Sequence, residues 1–261
     1  MLIIGKTGAG KSTTGNVILG SKEFEAKLSA SSVTAKTNFK YVQRFGKKLI
    51  VVDTPGVKDT GKNDEHIRNE ISKWYTLMSP GIHAILLVIK GDRFTDEEKY
   101  TVDFFMEKFG ERLKDYLIII FSNGDQLKDS NMEVRDFIDT IEKTSNLFKL
   151  IQDIQRRCVA IGYFSGTDDD RVKEAKQILS MVDRIRGTDG KNFYTTDYFR
   201  DVEETLKKTE TERRMKDRRQ KDSSKTDRDI TREECSSRGT IIGLSAAAVL
   251  TGVLAVVFSR K

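Results

Sequence analysis

The sequence predicts an α/β fold with a mostly parallel central sheet. Short, unbroken apolar runs alternate with helix-compatible segments over the first 187 of 261 residues. Such runs, rich in β-branched residues, are typical of strands covered on both faces. A glycine-rich stretch, GKTGAGKSTTGN, joins the first apolar run to the first helical segment. Alternation of this kind predicts parallel strands joined by crossover helices on both faces of one sheet.

The individual elements follow from these runs in chain order. Six segments are expected to be strands: Leu2–Ile4, Phe39–Phe45, Lys48–Val52, Ala84–Ile89, Leu117–Phe121 and Cys158–Ile161. The second of these is expected at a sheet edge, joined to the third by a hairpin through Gly46. Five segments are expected to be helices: Lys11–Leu19, Asp64–Met78, Thr95–Phe109, Glu133–Phe148 and Asp168–Arg184.

The composition changes after residue 187. Between Asp201 and Arg238, twelve Lys and Arg residues stand against eleven Asp and Glu residues, so the segment is nearly neutral. The net charge of +6 therefore does not indicate a nucleic-acid partner. We expect residues 188–238 to form a charged helical extension or stalk, solvated along most of its length. It follows an α/β domain spanning residues 1–187.

The last segment, 239–261, has the composition of a membrane anchor. Thr240–Phe258 contains nineteen residues without a charge. As a helix this run would be about 29 Å long, close to the ~30 Å hydrocarbon core of a bilayer. We expect a single C-terminal transmembrane helix that leaves the α/β domain in the cytosol. Its Ala- and Val-rich composition, followed by Ser259, Arg260 and Lys261, favours the endoplasmic reticulum or the mitochondrial outer membrane.

The glycine-rich stretch has the pattern GxxxxGK[ST], which is typical of a loop that binds nucleotide phosphates. Its glycines permit backbone conformations in which successive N–H groups point at the phosphates. Lys11 is expected to contact the β- and γ-phosphates, and the Ser12 hydroxyl to bind Mg²⁺. The residues expected to contact the nucleotide here are Gly5, Lys6, Thr7, Gly8, Ala9, Gly10, Lys11, Ser12 and Thr13.

A second motif, DTPG, follows the third strand. DxxG at this place is typical of GTPases. We expect Asp53 to hold Mg²⁺ through water and the Gly56 N–H to contact the γ-phosphate. Between the two motifs lies ASSVTAKTNF, where GTPases carry a threonine that closes over the γ-phosphate and Mg²⁺. Thr34 is expected to fill this catalytic and metal-binding role, with Thr37 as the alternative.

A third motif, Ser122-Asn123-Gly124-Asp125, follows the fifth strand, where GTPases have [NT]KxD. Its aspartate accepts hydrogen bonds from the N1–H and the 2-amino group of guanine, which adenine cannot supply. A carboxylate left unpaired by the wrong base is costly. Asp125 is therefore expected to select guanine, and Ser122 and Asn123 are expected to contact the nucleotide.

These motifs together resemble the GTPases of immunity-associated proteins, the AIG-type family. The resemblance covers residues 2–205 and rests on GKTGAGKSTTGNVILG, SSVT, DTPG and, above all, HAILLVIKGDRFTDEE (His83–Glu98). It implies a Ras-like P-loop GTPase domain with a C-terminal helical extension. It also implies GTP or GDP with Mg²⁺ as ligands, and nucleotide-dependent dimerisation with itself or a related GTPase. Some members are anchored in membranes at the C-terminus, and members normally carry residues before the first strand, so we expect the natural chain to begin further upstream.

Two positions near the base depart from the family pattern. The family has Arg or Lys where Asn123 stands, and its stem packs beneath the guanine. Its fifth motif resembles RYCAFNN, whereas this chain has RCVAIGY. Gly162 is then the residue beside the base, and Tyr163 either stacks on the guanine or faces solvent.

The residue that positions water in Ras-like enzymes, a Gln directly after DxxG, is Val57 in this chain. Slow intrinsic hydrolysis is therefore expected. Arg93 is the candidate catalytic arginine, reaching the phosphates of a partner in a dimer joined through the nucleotide faces. The alternative is that Arg93 pairs with acidic residues at the start of its own helix. The sequence thus predicts a membrane-anchored, GTP-binding switch or scaffold; the alternatives are a GTPase that turns over rapidly on its own and a membrane adaptor with a degenerate nucleotide site.

Overall fold

The computed structural model describes residues 1–26, 36–56, 64–90, 94–122, 124–162, 167–216 and 226–238. The chain divides into two compact units. We call Met1–Gly61 with His83–Tyr194 the sheet unit, and Lys62–Ile82 with Thr195–Lys261 the helical unit.

The sheet unit is built on strands in the order β2-β3-β1-β4-β5-β6. Their bounds are β1 Leu2–Ile4, β2 Asn38–Arg44, β3 Lys47–Asp53, β4 Ile85–Ile89, β5 Leu117–Phe121 and β6 Cys158–Ala160. Four of the five pairings are parallel, and only β2 runs antiparallel to its neighbour β3. The expectation of a mostly parallel sheet is confirmed. The carboxyl ends of β1, β3, β4 and β5 consequently meet at one edge of the sheet.

The antiparallel pair is a tight hairpin at the edge, as its sequence predicts. Arg44 pairs with Lys47, which leaves Phe45 and Gly46 as a two-residue turn. Both turn residues have positive φ, 50° and 70°. Two positive φ values are the signature of the hairpin turns whose twist suits the flanking strands. Glycine adopts positive φ values without steric cost. Phe45 adopts one as well, and it is 38% exposed.

The central strands form the core of the sheet unit. Every residue of β4 and β5 is at most 1% exposed. This burial explains why both strands are continuous apolar runs rather than alternating ones. The core includes Phe105 of α3, which is fully buried.

The helices of the sheet unit confirm most of the predicted segments. Their bounds are α1 Lys11–Leu19, α3 Asp96–Phe109, α4 Gly124–Asp129, α5 Val134–Thr140, α6 Asn146–Asp153 and α7 Asp168–Arg186, with a short 3-10 helix at Glu111–Tyr116. The short helix α4, directly after β5, is not predicted from the sequence.

The prediction of one helix over Glu133–Phe148 is wrong, because the chain forms α5 and α6 there. Ile141 ends α5 in an extended conformation. The Ser145 hydroxyl then accepts a hydrogen bond from the Phe148 N–H and starts a new helix. A serine that bonds to the backbone three residues ahead competes with a continuous helix and favours a new N-terminus.

The helical unit contains α2 Asp64–Met78, α8 Asp197–Lys216 and α9 Asp227–Arg238. The expected solvated extension is instead a pair of helices with a buried side. Phe199, Val202 and Leu206 of α8 are each at most 1% exposed. Their spacing is that of one helix face, and the ring of Tyr75 in α2 lies 4.4 Å from that of Phe199.

A polar network fixes α9 within this unit. Arg228 donates two hydrogen bonds to Glu203 of α8, at 2.7 and 3.0 Å. The Ser79 hydroxyl, just after α2, donates to the same carboxylate at 2.7 Å. Arg232, which is 8% exposed, donates to the Ser79 carbonyl. Some of the charged residues that suggest a solvated segment in the sequence thus make hydrogen bonds that hold α9 in this unit.

In the described part of the chain, no helix is both long and apolar enough to cross a membrane. The segment 239–261, where the transmembrane helix is expected, lies outside the described residues.

Candidate nucleotide-binding site

The glycine-rich stretch forms the loop between β1, which ends at Ile4, and α1, which begins at Lys11. Gly5, Gly8 and Gly10 all have positive φ, at 151°, 73° and 101°. A Cβ on Gly5 would lie 2.5 Å from the Val88 carbonyl oxygen, so β4 excludes a side chain there. Gly10 is the N-cap of α1 and makes no side-chain hydrogen bond there. The positive end of a helix dipole is suited to an anion.

The Lys11 side chain folds back across this loop. Its ammonium group donates to the carbonyl oxygens of Gly5 at 3.0 Å and Lys6 at 2.8 Å. The residue is only 6% exposed. A buried ammonium among backbone dipoles is suited to an anion of several charges. Of the other predicted loop contacts, Thr7 and Ala9 lie in the loop and Thr13 in the first turn of α1.

Ser12 and Asp53 come together at the foot of the loop. The Ser12 hydroxyl donates to the Asp53 carboxylate at 2.7 Å. Asp53 ends β3 beside Ile3 of β1 and is 1% exposed. A hydroxyl and a carboxylate oxygen are the ligand types that Mg²⁺ takes beside nucleotide phosphates, so the pair fits that ion. Thr34 lies outside the described residues, and Thr37 lies directly before β2.

The DxxG segment leaves β3 toward the same edge. The Thr54 hydroxyl donates to the Ile3 carbonyl at 2.8 Å, which ties the start of this segment to β1. Gly56 is buried, and Val57 lies outside the described residues. Asp53 therefore contacts Ser12 directly after the phosphate loop, and Gly56 lies three residues further along the chain.

The third motif meets the end of β6. The Gly124 N–H donates to the Ile161 carbonyl at 2.9 Å. A Cβ on Gly162 would lie 2.6 Å from a carboxylate oxygen of Asp125, so these two predicted site residues are in contact. Ser122 follows β5 and donates its N–H to the Ile89 carbonyl at 2.9 Å. Asn123 and Tyr163 lie outside the described residues.

Glu174 of α7 is a site residue that the sequence analysis misses. Its Oε1 accepts the Gly162 N–H at 3.0 Å, and the Lys128 ammonium lies 3.5 Å away. Burial raises the pKa of Glu174, and the charge of Asp125 adds to this rise, whereas the Gly162 hydrogen bond and Lys128 oppose it. A usable signal was present, because Glu174 shares the helix face of the apolar residues Ala175 and Ile178.

Glu98 of α3 is the second residue missed. It is fully buried, and its carboxylate lies 3.4 Å from the Lys6 ammonium of the phosphate loop. It also accepts the Thr95 N–H at 2.8 Å and the Lys90 N–H at 3.3 Å. The sequence signal is the pattern Thr-x-x-Glu, a capping box that starts α3. Glu98 thus links Lys90 and Thr95, which lie on the two sides of Arg93 in the sequence, to the phosphate loop. Arg93 itself lies outside the described residues.

A cavity of about 880 Å³ lies elsewhere in the sheet unit, between the β2–β3 hairpin and the end of α7. Its lining includes Phe45, Lys47 and Asp183 and none of the predicted site residues. The cavity does not compete with the phosphate loop as the candidate nucleotide site, because the motif residues converge elsewhere.

Comparison with known proteins agrees with this geometry. A solved structure of Toc33 from Arabidopsis thaliana in complex with GDP and Mg²⁺ is 16% identical, with a TM-score of 0.50, and covers 74% of this chain and 86% of that chain. A second solved structure is 17% identical with a TM-score of 0.50. Its description says that dimerisation is important for the GTPase activity of the chloroplast translocon components atToc33 and psToc159. It covers 75% of this chain and 85% of that chain. At this identity the likeness concerns the fold, which is that of a Ras-like P-loop GTPase.

Sequence comparison identifies the family of the chain as well as its fold. Immune-associated nucleotide-binding protein 7 of Arabidopsis thaliana is 32% identical over 210 residues, which cover 80% of this chain and 67% of that protein. The chain spans between 60% and 67% of the length of three such Arabidopsis relatives. The model of the AIG1 family matches residues 1–213. This chain belongs to the AIG1 family.

Proposed function

We propose that the chain binds GTP and GDP with Mg²⁺ and acts as a membrane-anchored, GTPase-like switch or scaffold. The observation that carries this proposal is the convergence of three groups at the carboxyl ends of parallel strands. Lys11 follows β1, the Ser12–Asp53 pair joins the ends of β1 and β3, and Asp125 follows β5. Ligands of parallel α/β sheets bind at this edge.

The residues divide the work of binding between them. Lys11 and the N–H groups of the loop bind the phosphates, and Ser12 and Asp53 would hold Mg²⁺. The ion, when bound, neutralises charge on the phosphate oxygens. Asp125 accepts hydrogen bonds from the guanine edge. Because Val57 stands where Ras-like enzymes have a glutamine, we propose that hydrolysis by a single molecule is slow.

We further propose that two copies, or this chain and a related GTPase, dimerise through the nucleotide face and that Arg93 acts on the partner's phosphates. The connection of Lys6 to Glu98 supports this, because it ties both flanks of Arg93 to the phosphate loop. The statement about atToc33 and psToc159 is a precedent in the same fold. The alternative is that Arg93 only pairs with Asp92, Asp96 or Glu97 at the start of its own helix.

The test of nucleotide binding is calorimetric titration of the chain with GTPγS and ATPγS in the presence and absence of Mg²⁺. The proposal predicts Mg²⁺-dependent binding of GTPγS and at least tenfold weaker binding of ATPγS, because adenine lacks the N1–H and the 2-amino group that Asp125 would bind. No binding of either nucleotide would favour the alternative, a membrane adaptor with a degenerate site. Binding of both with equal affinity would remove Asp125 from the base pocket.

Membrane attachment through residues 239–261 is a separate proposal, and rests on the uncharged run alone. With this anchor the chain has three parts, 1–187, 188–238 and 239–261. Imaging of the chain with and without residues 239–261 tests it. We expect the longer form on an organelle membrane, the endoplasmic reticulum or the mitochondrial outer membrane, and the shorter form released from it. An unchanged membrane location after deletion would refute the anchor.

A further inference from the structure

Glu174 is a buried acidic side chain whose position demands an explanation. It is 5% exposed, within α7. One carboxylate oxygen accepts the Gly162 N–H at 3.0 Å. The other, Oε2, is buried and makes no hydrogen bond to the residues that the structure describes. Burying a carboxylate with an unused oxygen is costly, so an apolar residue would be the more stable choice if packing alone mattered.

The hydrogen bond from Gly162 links Glu174, through the backbone, to Asp125, the residue proposed to bind the base. Gly162 packs so closely against Asp125 that a Cβ would come within 2.6 Å of its carboxylate oxygen. The preceding residue, Ile161, accepts the Gly124 N–H at 2.9 Å. The backbone of residues 161–162 therefore contacts the start of α4, including Asp125. Glu174 of α7 binds the same backbone through the Gly162 N–H.

We propose that Glu174 is a positioning residue for the nucleotide base: by holding the Gly162 N–H it fixes the backbone against which Asp125 lies, and so sets the discrimination for guanine. The inference rests on the proposed function, in which Asp125 binds the N1–H and the 2-amino group of guanine. It adds a residue from α7 to a pocket that otherwise consists of the segments after β5 and β6.

The chemistry requires an acceptor at Glu174 rather than a negative charge. The positioning contact is a single hydrogen bond from a backbone N–H, which a neutral amide oxygen also accepts. The negative charge of Glu174 is not needed for this contact, and burial and the nearby charge of Asp125 both raise the pKa of Glu174. Lys128, 3.5 Å away, offsets part of this repulsion. Glutamine should therefore replace Glu174 in this role, whereas alanine should not.

The experiment measures dissociation constants of GDP and inosine diphosphate (IDP), with Mg²⁺, for the full chain and its variants. IDP lacks the 2-amino group, so the ratio of the IDP constant to the GDP constant reports the contact with Asp125. For the wild type we expect a ratio of about ten or more. In Glu174→Ala the ratio should fall toward one, chiefly because GDP binds about tenfold more weakly. Glu174→Gln should keep the wild-type ratio.

Controls separate this outcome from general damage. Asp169→Ala removes an exposed carboxylate from the same helix and should leave both constants unchanged. Circular dichroism checks that each variant is folded; if Glu174→Ala is not, Glu174→Met keeps the side-chain volume without the acceptor and replaces it in the comparison.

The outcomes distinguish the inference from the function on which it rests. A wild-type ratio above one that is unchanged in Glu174→Ala overturns the role of Glu174 and leaves guanine binding intact. Loss of discrimination in Glu174→Gln as well overturns the acceptor role, because charge would then be what matters. A wild-type chain that binds neither nucleotide, or both equally, contradicts the proposed function itself.

Discussion

Asp53, at the end of β3, and Glu98, in the helix after β4, are buried carboxylates that contact the start of α1 and the phosphate loop. Asp53 accepts from Ser12, and Glu98 binds Lys6. Each is at most 1% exposed, so its charge must be compensated by the groups around it. For Glu98 these are an ammonium group and two backbone N–H groups. At the scale of single residues, the loop is held by charged partners that come from distant parts of the sequence.

His83, just before β4, gives a pH-dependent prediction for the sheet unit. Burial, together with the positive charges of the chain's amino terminus and Arg186, lowers the pKa of His83 to about 4. Because the unfolded value is near 6.5, the unfolded chain binds the proton more readily between these pH values. The free energy of unfolding should therefore fall as the pH is lowered from 6.5 to 4. We expect a contribution of about 1–2 kcal/mol, after allowance for partial exposure.

Chemical denaturation of the wild type and His83→Gln at pH 7 and pH 4.5 measures this contribution. Other groups titrate alike in both proteins, so the difference between them isolates His83. The variant should gain relative to the wild type at the lower pH. A difference that does not change with pH would show that His83 is not protonated on unfolding.

At the scale of elements, side chains at the ends of helices decide where the chain departs from its sequence pattern. The hydroxyl of Ser145 begins α6, and that of Thr95 begins α3 in a reciprocal capping box with Glu98. Both are local hydrogen bonds to N–H groups that a helix would otherwise leave unpaired. The Ser145 cap divides a segment whose sequence predicts one helix. The Thr95 capping box contains Glu98, which connects α3 to Lys6 of the phosphate loop.

Ser145→Ala should lower the free energy of unfolding by about 1 kcal/mol, because the Phe148 N–H loses its acceptor. Urea denaturation monitored by circular dichroism measures the change. Ser180→Ala, on an exposed position of α7, is the matched control and should change stability by a few tenths of a kcal/mol at most. Equal stabilities of the two variants would show that the cap does not separate α5 from α6.

Arg228→Ala should loosen α9 within the helical unit. Arg228 bonds twice to Glu203, and although burial alone would raise the pKa of Glu203, the hydrogen bonds from Arg228 and Ser79 hold it below its ordinary value. Amide hydrogen exchange in α9 should accelerate about tenfold or more, the equivalent of a lost charged hydrogen bond. Arg200→Ala removes an exposed ion pair of α8 and serves as the control. The same exchange in both variants would contradict the network.

At the scale of the whole molecule, the sequence predicts what depends on local pattern and misses what depends on distant contacts. The strands, the hairpin at Gly46 and the phosphate loop can each be predicted from one short, contiguous stretch of sequence. The contacts of Glu98 with Lys6 and of Glu174 with Gly162 join separate segments, which one sequence does not reveal. The buried face of α8 was obscured because Phe199, Val202 and Leu206 are sparse among charged residues.

The proposed dimer gives a prediction for the assembled protein. Arg93→Ala should remove the part of the GTPase rate that rises with protein concentration, by at least about tenfold, while nucleotide binding stays near normal. Single-turnover assays over a range of protein concentrations measure it. Lys99→Ala, an exposed cation of α3, is the matched control. Unchanged turnover per molecule at high concentration would rule out Arg93 as an arginine acting in the partner's site.

The central claim, that the phosphate loop and Asp125 together bind a guanine nucleotide, is tested most directly by exchanging the base contact. Titration calorimetry with GDP and xanthosine diphosphate, in Mg²⁺, compares the wild type with Asp125→Asn. A carboxylate accepts two hydrogen bonds from guanine, whereas an amide offers one acceptor and one donor, which suits the N1–H and O2 of xanthine. We predict that the wild type prefers GDP at least tenfold and that Asp125→Asn inverts the preference. Equal binding of the two nucleotides by the wild type, or the same preference in both proteins, would contradict the account.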